Sequence, residues 1–143
     1  MPAKVSQYMT PKVISVKPDT GIREAFFTMK QHHIRHLPVL DGKQLVGIIS
    51  DRQLRRPNWV DEAHDIAHVY ELDDQLAASD LMITQVHVVH TYDTLVKALG
   101  VLLDHRIGAA PVLDKAGAVV GMLSAVDLLQ AFRDKLNEER GAK

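Results

Sequence analysis

The stretch IRHLPVLDGKQLVGIIS, Ile34 to Ser50, decides the fold because the chain repeats it as IGAAPVLDKAGAVVGMLS, Ile107 to Ser124. Each copy runs from an apolar segment with a central proline, through a turn, into a second apolar segment that closes on glycine, two apolar residues and serine. Two short apolar runs around DG or DKAG read as a β-hairpin. The copies are offset by 73 residues at their starts (107 − 34) and by 74 at the closing glycine (121 − 47), so the extra residue falls at the hairpin tip. A duplicated fold tolerates a length change there.

The same offset continues upstream. Ile22, Phe26 and Met29 overlie Leu95, Leu99 and Leu102, an i, i+4, i+7 stripe that predicts helices over 21–32 and 94–105 with this face buried. YMTPKVISV overlies LMITQVHVV, predicting a short strand at 13–16 and another at 86–89, and a further helix starts at Ser50 and at Ser124. Strand, helix, strand, strand, helix is therefore the unit. The expected fold class is α/β, with two βαββα repeats. One copy is too small to cover both its sheet face and its helical faces, so the two copies are expected to pack on each other. The organisation reads as a first repeat over 1–56, an insertion over 57–78 that opens on Pro57, and a second repeat over 79–143 whose last helix is extended by SAVDLLQAFRDKLNEER.

Composition narrows the function. The 143 residues are 46% hydrophobic, with 17 basic and 18 acidic side chains and no block of like charge, so nucleic acid and membrane surfaces are not expected partners. With no cysteine, disulfides, thiolate catalysis and thiolate metal sites are excluded. The opening MPAKVSQYMTPKVISV carries no apolar signal core, and a cytoplasmic location is expected.

Chemistry concentrates where the hairpin meets its following helix. Ser124-x-x-Asp127 and Ser50-x-x-Gln53 both fit a capping box, in which the serine bonds a free amide and the later side chain reaches back. The same atoms admit a second reading. A helix start offers unpaired N–H groups to a phosphate, and a carboxylate can accept two hydrogen bonds from a ribose diol. Gln53 has one acceptor oxygen and two donors, so it serves a diol poorly. In the insertion, HDIAH places His64 and His68 one helical turn apart around an acid and imitates a zinc hydrolase motif. The acid is an aspartate, one methylene short of the glutamate such sites use, and no third ligand flanks it. A solvated helix face is expected there, with no metal.

These residues together resemble a tandem pair of cystathionine-β-synthase (CBS) domains, also called a Bateman module. The resemblance rests on YMTPKVISVKPDT, on HLPVLDGKQLVGIISDRQL and on their second-copy partners ending in GMLSAVDLL, and it covers nearly the whole chain outside the insertion. It implies two repeats about a pseudo-twofold axis, adenosine ligands in clefts between the copies, and a regulatory role without catalysis. Residue by residue, it implies a dominant site in which Ser124 and Asp127 face Ile14, Ile34, Arg35 and His36. The isoleucines would sandwich an adenine and the basic pair would meet phosphate. The mirrored site would combine Ser50, Arg52 and Gln53 with His87, Ile107, Gly108 and Ala109, weakened by Gln53 and by the lack of charge at Gly108 and Ala109. The expected ligand is AMP, ADP or ATP acting as a regulator, with no cofactor required. The output would pass through a homodimer, built on the repeat helices and the long tail, or through a regulated partner protein. Two other readings stand beside this one: a ligand-free interaction scaffold, and a metal-dependent hydrolase using His64 and His68.

Overall fold

Both hairpins form, and with matching irregularities. In a computed structural model that describes residues 3–51 and 76–141, β1 (His36–Asp41) pairs antiparallel with β2 (Gln44–Ser50), and β4 (Ala109–Leu113) with β5 (Val119–Ser124). The register slips between Val39 and Leu40 in one and between Val112 and Leu113 in the other, positions that the repeat makes equivalent. Gly42 turns the first hairpin at φ 63° and Gly117 the second at φ 86°, a left-handed conformation that glycine adopts without a Cβ penalty. The longer second tip is held by Asp114, whose Oδ1 accepts from the N–H groups of Ala116 and Ala118, each at 2.9 Å.

The helices follow the apolar stripes. The first copy contains α1 (Val5–Tyr8) and α2 (Ile22–His32), and the second contains α3 (Ala78–Leu81), α4 (Leu95–His105) and the long α5 (Ala125–Gly141). The two short leading helices are elements that the βαββα pattern did not include. One predicted stripe needs correction. Ile22, Phe26 and Met29 are buried in α2, but in α4 Ala98 and Leu102 face the core while Leu99 stays 42% exposed. Leu99 lies at the edge of that face, where the larger Phe26 reaches inward from the equivalent position.

The chain divides into two compact units whose limits differ from the repeat boundaries. One unit joins residues 3–13 to 87–141, and the other holds 14–51 and 76–86. The leading segment of each copy is thus built into the unit of the other. In the first unit, Ala3 O accepts from Leu95 N–H and Asp93 O accepts from Val5 N–H, while Thr10 exchanges two hydrogen bonds with Met122 of β5. The second unit repeats the arrangement: Leu76 O accepts from Ile22 N–H, Thr20 O accepts from Ala78 N–H, and Ile83 exchanges two bonds with Ile48 of β2. An N–H at the start of a helix has no partner within its own helix, so each exchanged segment satisfies a donor at the start of α2 or α4.

This exchange explains the repeated glycine. A Cβ on Gly121 would stand 2.5 Å from Thr10 O and 3.0 Å from Met9 Sδ, and one on Gly47 would overlap the Met82 side chain and lie 3.1 Å from Ile83 O. The exchanged segment presses directly on the glycine.

The predicted first strands are shorter than 13–16 and 86–89. The second copy forms β3 (Val89–His90), parallel to β4. The first copy keeps only an isolated bridge between Val16 and Val39. The difference is one donor. Thr91 N–H bonds Leu113 O in the second copy, and the equivalent residue in the first is Pro18, which has no N–H. Each unit has its own core: Ile22, Leu37, Val39 and Ile49 are fully buried in one, and Val5, Val89, Val112 and Leu123 in the other.

Candidate functional site

The junction after β5 is a closed capping box. Ser124 is the last residue of β5, and the helix begins at Ala125. Ser124 N–H donates to Asp127 Oδ2 at 2.9 Å, and Asp127 N–H donates to Ser124 Oγ at 3.2 Å. Among the described residues no hydrogen bond reaches Asp127 Oδ1, and the side chain is half-buried. An ionised carboxylate has about four acceptor positions, so the cap uses a minority of them. The serine hydroxyl keeps its proton to donate. A carboxylate with acceptor capacity at the first turn of a helix also sits at the positive end of the helix dipole.

The first strand of this hairpin and the two residues before it lie beside the junction. Ala109 pairs with Ser124 across the hairpin, and Gly108 O accepts from Ala125 N–H at 2.9 Å. Ile107 packs partly buried against the core of the same unit. His87 belongs to this unit as well, and its ring stacks on that of His105 with centroids 3.5 Å apart and planes 11° from parallel. His105 ends α4. It was missed in the sequence because nothing local marks a contact between residues so far apart in the chain.

The other unit carries the equivalent parts. His36 pairs with Ser50 across its hairpin, and Arg35 O accepts from Asp51 N–H at 2.9 Å. Ile14 and Ile34 are partly buried and pack against this unit's core, leaving an edge of each uncovered. Arg35 is exposed. The His36 imidazole is held below its ordinary value, chiefly by burial, with Asp51 opposing the shift and Arg35 adding to it. The shift favours the neutral ring. Arg52 and Gln53, assigned to the mirrored site, lie outside the described residues, as do His64 and His68. The structure thus gathers Ser124, Asp127, Ile107, Gly108, Ala109 and His87 in one unit, and Ile14, Ile34, Arg35, His36 and Ser50 in the other.

Known proteins share this fold. The CBS domain family model matches residues 5–57 and 78–134. The chain belongs to the CBS domain family. The CBS domain-containing protein YhcV of Bacillus subtilis is 27% identical over 140 residues, which cover 98% of this chain and 91% of that protein. The CBS-pair protein CBSX2 of Arabidopsis thaliana has a TM-score of 0.81 at 27% identity, covering 98% of this chain and 99% of that one. A further structure is CBSX2 in complex with AMP, with a TM-score of 0.74 at 28% identity over 92% of this chain and 97% of the other. Other relatives are longer: the chain spans 48% of an uncharacterised protein of Methanocaldococcus jannaschii at 24% identity. Among the described residues no helix is long and apolar enough to cross a membrane.

Proposed function

We propose that this CBS pair is a regulatory module that binds an adenine nucleotide such as AMP, ADP or ATP, with Asp127 as the acceptor for the ribose diol. One observation carries the reading: the Ser124–Asp127 cap engages Oδ2 and leaves acceptor capacity at the mouth of a helix. The AMP complex of CBSX2, a protein alike over nearly the whole chain, supports the ligand class. In this reading Ile14 and Ile34 flank the adenine, and Arg35 and His36 meet the phosphate. The mirrored site, built on Ser50, Arg52 and Gln53 with His87, Ile107, Gly108 and Ala109, binds more weakly because Gln53 offers no carboxylate. The module regulates and does not catalyse, and its output passes to a second copy or to a partner protein.

Thermal unfolding with a panel of nucleotides tests this. A ligand that binds only the folded state stabilises it by about 2.7 kcal/mol at a hundred times its dissociation constant, which raises the melting temperature of a domain this size by several degrees. Adenine nucleotides should do so, and guanine nucleotides less. If ligand-free protein shows no shift with any adenosine compound, the nucleotide reading fails and a ligand-free scaffold takes its place.

A further inference from the structure

Gly21 marks a difference between the copies that the fold does not require. It precedes α2, and its equivalent before α4 is Thr94, whose Oγ1 accepts from Lys97 N–H at 3.2 Å. Gly21 has no side chain to do the same, so the N–H of Glu24, the equivalent of Lys97, is left without that cap. Neither conformation nor packing calls for a glycine here: φ is −63°, and an added Cβ would meet no atom within 4 Å. The uncapped residue, Glu24, lines a groove of about 600 Å³, within the roughly 300–1,000 Å³ that small-molecule sites occupy.

The groove lies wholly within one unit. The segment 15–17 lines it together with Thr20, Glu24 and Thr28, which are spaced by one helical turn, and with Leu40 and Gly42 of the hairpin. Lys17, Asp19 and Glu24 bring charges of both signs to it, and among the described residues none of the three is in an ion pair. The second copy fills the equivalent positions with groups that satisfy one another. Asp93, at the place of Thr20, lies 3.4 Å from Lys97 Nζ and 3.3 Å from His90 Nδ1, and the His90 ring stacks on Tyr92. In the first copy Thr20 Oγ1 accepts from Lys17 N–H at 3.0 Å, which leaves its hydroxyl proton free to donate. One copy thus closes a network on itself, and the other presents the same positions to solvent as separate charges, a hydroxyl and an uncapped N–H.

We propose that this groove binds a free α-amino acid, the simplest molecule that carries both charges. Its carboxylate takes Lys17 Nζ and the Glu24 N–H, at the end of α2 where the helix dipole favours an anion. Its ammonium takes the carboxylates of Asp19 and Glu24. Val16 is buried and Leu40 half-buried, and they give the ligand side chain an apolar contact. None of the groove residues belongs to the nucleotide site proposed above, so either reading can fail while the other holds.

Amide NMR of the ligand-free protein, titrated with each of the common amino acids, tests this. At least one should shift the Glu24 amide at millimolar concentration. Acetate and methylamine, which carry one of the two charges each, should bind at least about tenfold more weakly. Gly21→Thr restores the cap found before α4, so it should hold the melting temperature while weakening the amino acid by about tenfold or more. Lys17→Met should weaken it as much, and it decides the matter if Gly21→Thr does not fold. Asp127→Asn should leave the affinity unchanged. The proposal is overturned if no amino acid moves the Glu24 amide, or if acetate binds as well as the amino acid, which would mean capture of a carboxylate alone. It is also overturned if folded Gly21→Thr or Lys17→Met binds like wild type, or if Asp127→Asn loses binding, which would put the amino acid in the nucleotide site.

Discussion

Replacing Asp127 with asparagine separates the two roles of one side chain. In the structure Asp127 accepts from Ser124 N–H through Oδ2 and returns its own N–H to Ser124 Oγ. An asparagine oxygen can still take the Ser124 donor, so the cap survives. What the fold loses is a negative charge in the first turn of α5, worth about 0.3–1 kcal/mol. The melting temperature should fall by no more than about 4 °C. The ligand loses more. The amide turns donors towards the diol where the carboxylate had acceptors, and hydrogen bonds to a charged group are worth about 1.5–3 kcal/mol, so AMP should bind roughly ten to a hundred times more weakly. Ser124→Ala should show the opposite pattern: it removes the cap acceptor at a cost of about 1 kcal/mol in stability and keeps the carboxylate, so affinity falls less. Calorimetric titration with AMP and thermal unfolding of the three proteins give both axes. Gln53→Asp, titrated alongside, should move the stoichiometry from one tight site per chain towards two. An Asp127→Asn protein that is folded and binds AMP as tightly as wild type would reduce Asp127 to a cap and refute the assignment.

Two further predictions rest on packing and on charge. Gly121→Ala drives a Cβ against the backbone oxygen of Thr10, and overpacking of this kind costs about 1–3 kcal/mol. Gly47→Ala meets chiefly the flexible Met82 side chain and should cost less, so thermal melts that rank the two in the reverse order would contradict the exchanged-segment contact. Asp93 is buried, accepts from His90 N–H at 2.8 Å and faces Lys97 Nζ at 3.4 Å. Burial alone would raise its carboxyl, but the hydrogen bonds from His90 and Lys97 outweigh that and hold it below its ordinary value. A depressed carboxyl stabilises the fold above its unfolded value of about 4 and loses that contribution as the pH falls through its folded value. Asp93→Asn should therefore be less stable than wild type by about 1–3 kcal/mol at pH 7, with the gap closing below about pH 4. A gap that stays constant with pH would show that the charge contributes nothing.

How much of this was legible beforehand depends on whether the deciding contact is local. The hairpins, their turns and the extents of α2 and α4 follow from apolar spacing and turn glycines a few residues apart, and the sequence carries those plainly. The loss of a first strand in one copy was also written there, as Pro18 where Thr91 supplies a donor. The exchange of leading segments was not. YMT and LMI align equally well whether each packs on its own copy or on the other, because a repeat is blind to which of two equivalent partners is chosen. The stack of His87 on His105 and the exposure of Leu99 belong to the same class, set by how strand and helix meet and not by spacing along either.

Asp127 shows a different limit. From the sequence, capping and ribose binding were rival explanations of Ser-x-x-Asp, and the structure removes the rivalry by showing that the cap occupies Oδ2. A carboxylate can hold the helix start and still accept from a ligand. A glutamine divides itself less well, because a cap bond leaves its single, uncharged acceptor oxygen only one lone pair and its amide nitrogen is a donor. Folding alone would place no constraint on which of the two residues follows the serine. That the copies keep the serine and differ at the third residue beyond it is what a shared cap with a single strong ribose site would leave behind, and it is why Gln53→Asp and Asp127→Asn are expected to move affinity in opposite directions while barely moving the fold.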